Sequence, residues 1–172
     1  CDVRQEAIDK AVAELSEFGP ICGFTANVAD RAECDEFAKK VVEQYGNTPA
    51  VNLARMYAAA CSLRLGEFDQ AQSFINSFKE VKGVPGAIIN AMAAGIKGDI
   101  AVEKGDNAGA AKLFEQAAKV SENDFTTPMY LRKAALAYSA MGDAAKAEAL
   151  LKTVSEQYPA SYDAREATKL VD

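Results

Sequence analysis

Residues 128–159 read PMYLRKAALAYSAMGDAAKAEALLKTVSEQYP. Apolar residues recur here at spacings of three and four, the signature of helix, and Gly142-Asp143 interrupts the pattern midway. A glycine at that point can take the left-handed conformation that closes one helix, so the stretch predicts two helices, 128–141 and 144–157. Small residues stand at Ala135 and Ala147, one in each helix, with Leu151 and Val154 as large apolar positions further on. Two antiparallel helices approach closely only where small side chains face each other, and the large ones then fill the space between successive pairs.

The same arrangement occurs twice more upstream. Gly66-Glu67 and Gly105-Asp106 match Gly142-Asp143, the glycines recurring after 39 and then 37 positions. Five positions after each glycine comes Ala71, Ala110 or Ala147; nine after comes Ile75, Phe114 or Leu151; twelve after comes Phe78, Ala117 or Val154. Seven before each sits Ala59, Gly98 or Ala135. Tyr138, Ala147, Leu151 and Pro159 make the third copy resemble the tetratricopeptide repeat family, whose unit is a helix pair with small residues in both helices, a tyrosine in the first and a proline after the second. The first helices lack the family's usual tryptophan, and the spacing exceeds the usual ~34 residues, as helices a turn longer would produce.

The resemblance implies an all-α superhelix of about nine helices in antiparallel pairs. The predicted spans are 3–18, 30–45, 49–65, 68–81, 85–104, 107–121, 128–141, 144–157 and 162–171. Thr48-Pro49 and Thr127-Pro128 each supply an N-cap hydroxyl before a first-turn proline, and Asp30 and Glu33 have capping-box spacing. A Glu-Gln-Tyr ending at Tyr45 echoes the one ending at Tyr158, which makes 30–45 read as the second helix of a degenerate unit, with Cys34 in the place of Ala147. The expected organisation is one continuous domain: N-terminal helices with a degenerate repeat half (1–47), three helix pairs (48–160) and a C-terminal capping helix (161–172).

The composition narrows the chemistry. The chain has 172 residues, no histidine, and 19 Lys and Arg against 25 Asp and Glu, a net charge of −6 without a basic stripe. Nucleic acid and anionic membrane surfaces are therefore poor partners. Without histidine no Ser-His-Asp or Cys-His arrangement exists, and the acidic residues fall on solvated helix faces. Gly95-x-x-Gly98 reads as close helix packing and Gly83-Val84-Pro85-Gly86 as a turn, since neither follows a strand as a phosphate loop does. No catalytic, cofactor-binding or metal-binding residue emerges. No run is long and apolar enough to cross a bilayer.

Four cysteines occur. Cys22, Cys34 and Cys61 match no metal or redox spacing and read as buried reduced core residues, with a Cys22–Cys34 disulfide the alternative in an oxidising compartment. The chain begins at Cys1, either an acylated lipoprotein residue or a cut end; membrane attachment is expected only if Cys1 is acylated or an anchor has been removed.

What remains is the inner surface that the resemblance assigns to the first helix of each pair. Leu53, Met56, Tyr57, Ala60 and Leu63 are expected there from the first unit. Met92, Ile96 and Asp99 come from the second, and Met129, Arg132, Lys133 and Leu136 from the third. This lining is largely apolar with adaptable methionines, and only Arg132 and Lys133 could meet an anion. The family's terminal-carboxylate clamp is not supported, because its positions hold Met, Ala and Ile. The expected function is a noncatalytic interaction scaffold that holds a peptide or helix of another protein on this face. The alternative is a lipoprotein subunit of a bacterial envelope or surface assembly. YGNTPAVNLARMYAAACSLRLGEFDQA and TTPMYLRKAALAYSAMGDAAKAEALL look most like bacterial envelope members of the family, which implies the periplasm or envelope ahead of the cytoplasm.

Overall fold

A computed structural model of the chain describes residues 4–171 apart from 19, 20, 22, 28 and 47, and the side chains of 31, 35, 38, 39, 42 and 171 are outside it. The described residues form nine α-helices and no strand: α1 (Gln5–Leu15, continued by a 3-10 turn over Ser16–Phe18), α2 (Arg31–Tyr45), α3 (Pro49–Arg64), α4 (Phe68–Ser77), α5 (Val84–Glu103), α6 (Asn107–Lys119), α7 (Thr126–Ala140), α8 (Ala144–Gln157) and α9 (Tyr162–Val171). Packing divides them into two compact units, residues 1–51 and 52–172, with the boundary inside α3.

In the first unit Asp30 caps α2, its carboxylate accepting from the amides of Ala32 and Glu33. Glu33 does not reach back to the cap's own amide as a capping box would; it accepts instead from the Asn27 amide at 2.8 Å, while the Asp30 amide donates to the Asn27 carbonyl. Gly23 lies against Ile8 and Val12 of α1. Its neighbour Phe24 meets Phe37 of α2 edge to face, with centroids 5.6 Å apart. The loop thus meets α1 at Gly23 and α2 at the next residue, Phe24. Cys34 is half-buried, and its thiol donates to the Asn27 carbonyl at 3.7 Å.

The second unit is built on one turn used three times. Gly66, Gly105 and Gly142 have φ of 77°, 79° and 80°. At each, the glycine amide donates to the carbonyl three residues back, and the next amide to the carbonyl five back. These two bonds satisfy helix-end carbonyls that water would otherwise have to reach, and they send the chain back antiparallel. Asp106 and Asp143 then cap the returning helix through the amides of Gly109 and Lys146, whereas Glu67 makes no such cap.

Successive helices from α4 onward pack on their neighbours, and α5 also touches α7, as α7 touches α9. The helices α5, α7 and α9 therefore share one layer, and α3 joins it through a core shared with α5 and a cavity wall shared with α5 and α7. The small positions Ala59, Gly98, Ala135, Ala71, Ala110 and Ala147 are all buried, as are Ile75, Phe114 and Leu151. Burial of each large side chain contributes about 1.5–3 kcal/mol. Gly98 faces the ring of Phe114, and Gly95 faces Tyr130; the two rings are stacked 6.3 Å apart at 12°. The Gly95-x-x-Gly98 pattern is a seat for two aromatic rings. Gly83 has φ of 80° and accepts the Gly86 amide, which makes Gly83-Val84-Pro85-Gly86 the turn that opens α5.

Two boundaries differ from expectation for local reasons. α4 stops at Ser77, not 81, because Asn52 of α3 takes both backbone groups of Lys79 at 2.6 Å, and Asn90 of α5 takes those of Val81 at 2.8 and 2.9 Å. α7 begins at Thr126 because Asn123 accepts the amides of Phe125 and Thr126. Thr127 is not the cap: its buried hydroxyl accepts the Asn123 amide and donates to the Ala118 carbonyl, fastening α7 to the end of α6. α9 buries Ala164 and Ala167 and leaves Arg165 and Lys169 exposed, a polar outer face of the kind that ends a stack.

Gly98→Ala places a methyl carbon 2.5 Å from the fixed ring of Phe114 and should lower stability to urea by about 1–3 kcal/mol. Gly142→Ala meets no neighbour but strains a left-handed residue, at about 1–2 kcal/mol. The combined Gly98→Ala/Phe114→Leu variant should lose less than its two single losses added, because the smaller side chain vacates the space the methyl enters. Urea titration followed by far-UV circular dichroism checks all three.

Candidate binding face

The layer of α3, α5 and α7 carries the residues the sequence assigns to an inner surface, and they separate into three groups. Met56 does not belong to the surface. It is 2% exposed and packs with Ala59, Ala71, Ile75, Ala93 and Ile100. The reason is its phase: Met56 stands ten positions before its marker glycine, as the buried Gly95 does, and only in the third repeat is that place half-buried, at Arg132. Leu53, Leu63, Met92 and Ile96 are half-buried against the same core, and Met129 against the core of α5, α6 and α7. Ala60 is half-buried as well. Tyr57 and Leu136 present the largest free apolar area, at 56% and 43% exposure.

The charged members are paired across the layer. Lys133 donates to both carboxylate oxygens of Asp99 at 2.8 and 2.9 Å. Its ammonium also lies over the rings of Phe114 and Tyr130, at 5.5 and 5.9 Å from their centroids. Arg132 donates to Asp163 of α9 at 2.6 Å. The two cations expected to meet an anion are thus already engaged, and they tie α5 to α7 and α7 to α9.

Leu63, Asp99 and Lys133 come together on one open cavity of about 460 Å³. Tyr57 and Met129 do not line it. Its wall also contains Arg64, Phe68, Val102 and Glu103, which apolar periodicity passes over. The signal that could have found two of them is the repeat itself, since Arg64 and Glu103 each stand two residues before a marker glycine. A smaller cleft of about 240 Å³ lies where Leu136, Leu151 and Leu170 approach.

Burial, and secondarily the charge of Asp99, push the Tyr130 hydroxyl above the ordinary phenol range. Tyr138 is also raised, chiefly because its hydroxyl donates to Glu115 at 2.6 Å. Hydrogen bonding between Asp143 and Lys146 lowers the carboxyl of the first and raises the ammonium of the second, which secures the last marker turn. Among the described residues no group of three or more His, Cys, Asp or Glu is placed to hold a metal ion, and no helix is long and apolar enough to cross a membrane. Cys61 is exposed, contrary to a core reading, and lies four residues from each of two exposed side chains, Tyr57 and Leu65. Cys34 is half-buried and not fully packed away. Cys1 and Cys22, and with them the acylation and disulfide expectations, lie outside the described residues.

A family model described as Tetratricopeptide repeat matches residues 130–161, which span most of α7 and all of α8. No curated protein and no solved structure matches the chain.

The raised Tyr130 hydroxyl gives a pH dependence with a definite sign. Below the ordinary phenol value of 10.0 the group is protonated folded or unfolded and contributes no slope. Above it only the unfolded chain ionises, so stability falls as pH rises, by up to about 1.4 kcal/mol per unit from this group. Tyr130→Phe should flatten that alkaline limb, measured by urea unfolding between neutral pH and the onset of alkaline denaturation.

Proposed function

We propose that the chain, whose residues 130–161 match the tetratricopeptide repeat family, is a noncatalytic scaffold that holds a segment of another protein on the layer of α3, α5 and α7. Tetratricopeptide repeats generally mediate protein–protein interactions, and the finer assignment to this layer has its own support. The carrying observation is exposed apolar area at Tyr57 and Leu136 on a layer that also holds two hollows, one of about 460 Å³ lined by Leu63, Phe68 and Val102 and one of about 240 Å³ beside Leu136. Exposed apolar area beside a concavity is where a partner gains most from leaving water. The exposed side of α6, by contrast, offers Lys112, Gln116 and Lys119, whose solvation a partner would have to displace.

Photo-cross-linking residues substituted at Tyr57, Ile96 and Leu136 should label one and the same protein from the native source, and those at Lys112 and Gln116 should not. Labelling from α6 with none from α3, α5 and α7 contradicts the proposal. Leu136→Asp should abolish the cross-link at Ile96 while changing stability by less than about 0.5 kcal/mol, as surface substitutions do. Met56→Asp should instead unfold the second unit, at a cost above about 3 kcal/mol, because it buries an unpaired charge.

A further inference from the structure

Arg64 and Glu103 end α3 and α5 and hold the same place in consecutive repeats. Both are exposed on the wall of the large cavity, between the apolar surfaces of Leu63, Phe68 and Val102. The other two charges of that wall, Asp99 and Lys133, neutralise each other. Among the described residues neither Arg64 nor Glu103 forms an ion pair.

The position of Glu103 is electrostatically unsatisfied. A helix C-terminus carries negative partial charge, which a basic residue offsets and an acidic one aggravates. α3 has Arg64 in its last turn, but α5 has no basic residue there. The adjacent Lys104 is turned away to Asp69 of α4, at 2.8 Å. The end of α5 therefore presents the Glu103 carboxylate at the negative end of a helix whose nearest cation, Lys104, is engaged elsewhere. One repeat away, Arg64 presents a guanidinium suited to a carboxylate.

We propose that this cavity reads a mixed-charge segment of the partner: an acidic group on Arg64, a basic group over Glu103, and an apolar side chain between them on Leu63, Phe68 and Val102. Packed helices lie about 8–10 Å apart, and three residues of extended chain at ~3.3 Å each span that distance. The acid and the base therefore stand three residues apart in an extended stretch that crosses α3 and α5. This rests on the scaffold reading above and adds to it the chemistry of the ligand.

The test uses the full chain and three fluorescein-labelled ten-residue peptides of one apolar composition, differing only at two positions three residues apart: acid and base, two acids, or two bases. Fluorescence polarisation should show the mixed peptide binding at least about tenfold more tightly than either other, which is 1.4 kcal/mol. Arg64→Glu should move the preference to the two-base peptide and Glu103→Lys to the two-acid peptide. The double exchange Arg64→Glu/Glu103→Lys should restore preference for the mixed peptide with its charges in reversed order. Equal binding of the three, an unchanged ranking in the single variants, or no binding by any of them overturns the charge assignment. The scaffold reading stands or falls separately, on the cross-links from Tyr57, Ile96 and Leu136.

Discussion

The approach of Phe114 to the backbone of α5 at Gly98 is the contact on which the second unit depends. A ring can lie there only because Gly98 has no side chain, and Tyr130 repeats the device one turn earlier at Gly95. The two stacked rings join α5, α6 and α7 in one core, with Ala91, Ala110, Ala111, Ala117, Ala134 and Ala137 around them. Small residues bring the helices close, and the few large ones fill the gaps that remain. Interiors packed to this density tolerate little change in volume, so helix spacing follows from a handful of positions.

Close spacing of the first helices has a second effect, on electrostatics. Lys133 can reach Asp99 and two aromatic faces at once because α5 and α7 are adjacent, and Arg132 reaches Asp163 because α9 takes the next place in the stack. Pairing thus engages Asp99, Arg132 and Lys133. The proposed recognition uses residues outside these pairs, Tyr57, Leu136, Arg64 and Glu103, which is how the repeat spacing bears on the proposed function.

The fold was legible in the sequence because its determinants are local and repeated. Each marker glycine announces a left-handed turn, and each small or large residue keeps a fixed distance from it. The site was less legible, because exposure depends on what lies across from a residue. Met56 shares a composition argument with Met92 and Met129, yet its phase turns it into the core beside Ala59 and Ile75. Arg132 and Lys133 look free until α9 and α5 are placed against them. Arg64 and Glu103 were hidden by an apolar search, although their equivalent rank in two repeats was visible. The early end of α4 and the cap at Asn123 rest on side-chain amides of Asn52, Asn90 and Asn123, whose backbone partners no periodicity indicates.

The central claim, that aromatic rings seated on glycines fix the spacing of the repeats, has a direct spectroscopic signature. A proton close to an aromatic ring has its resonance displaced by the ring current. In a proton NMR spectrum of the folded chain, the α-protons of Gly95 and Gly98 should be displaced from those of ordinary helical glycines and show nuclear Overhauser contacts to the rings of Tyr130 and Phe114 respectively. Ordinary glycine shifts at both residues, with no contact to either ring, would contradict the account.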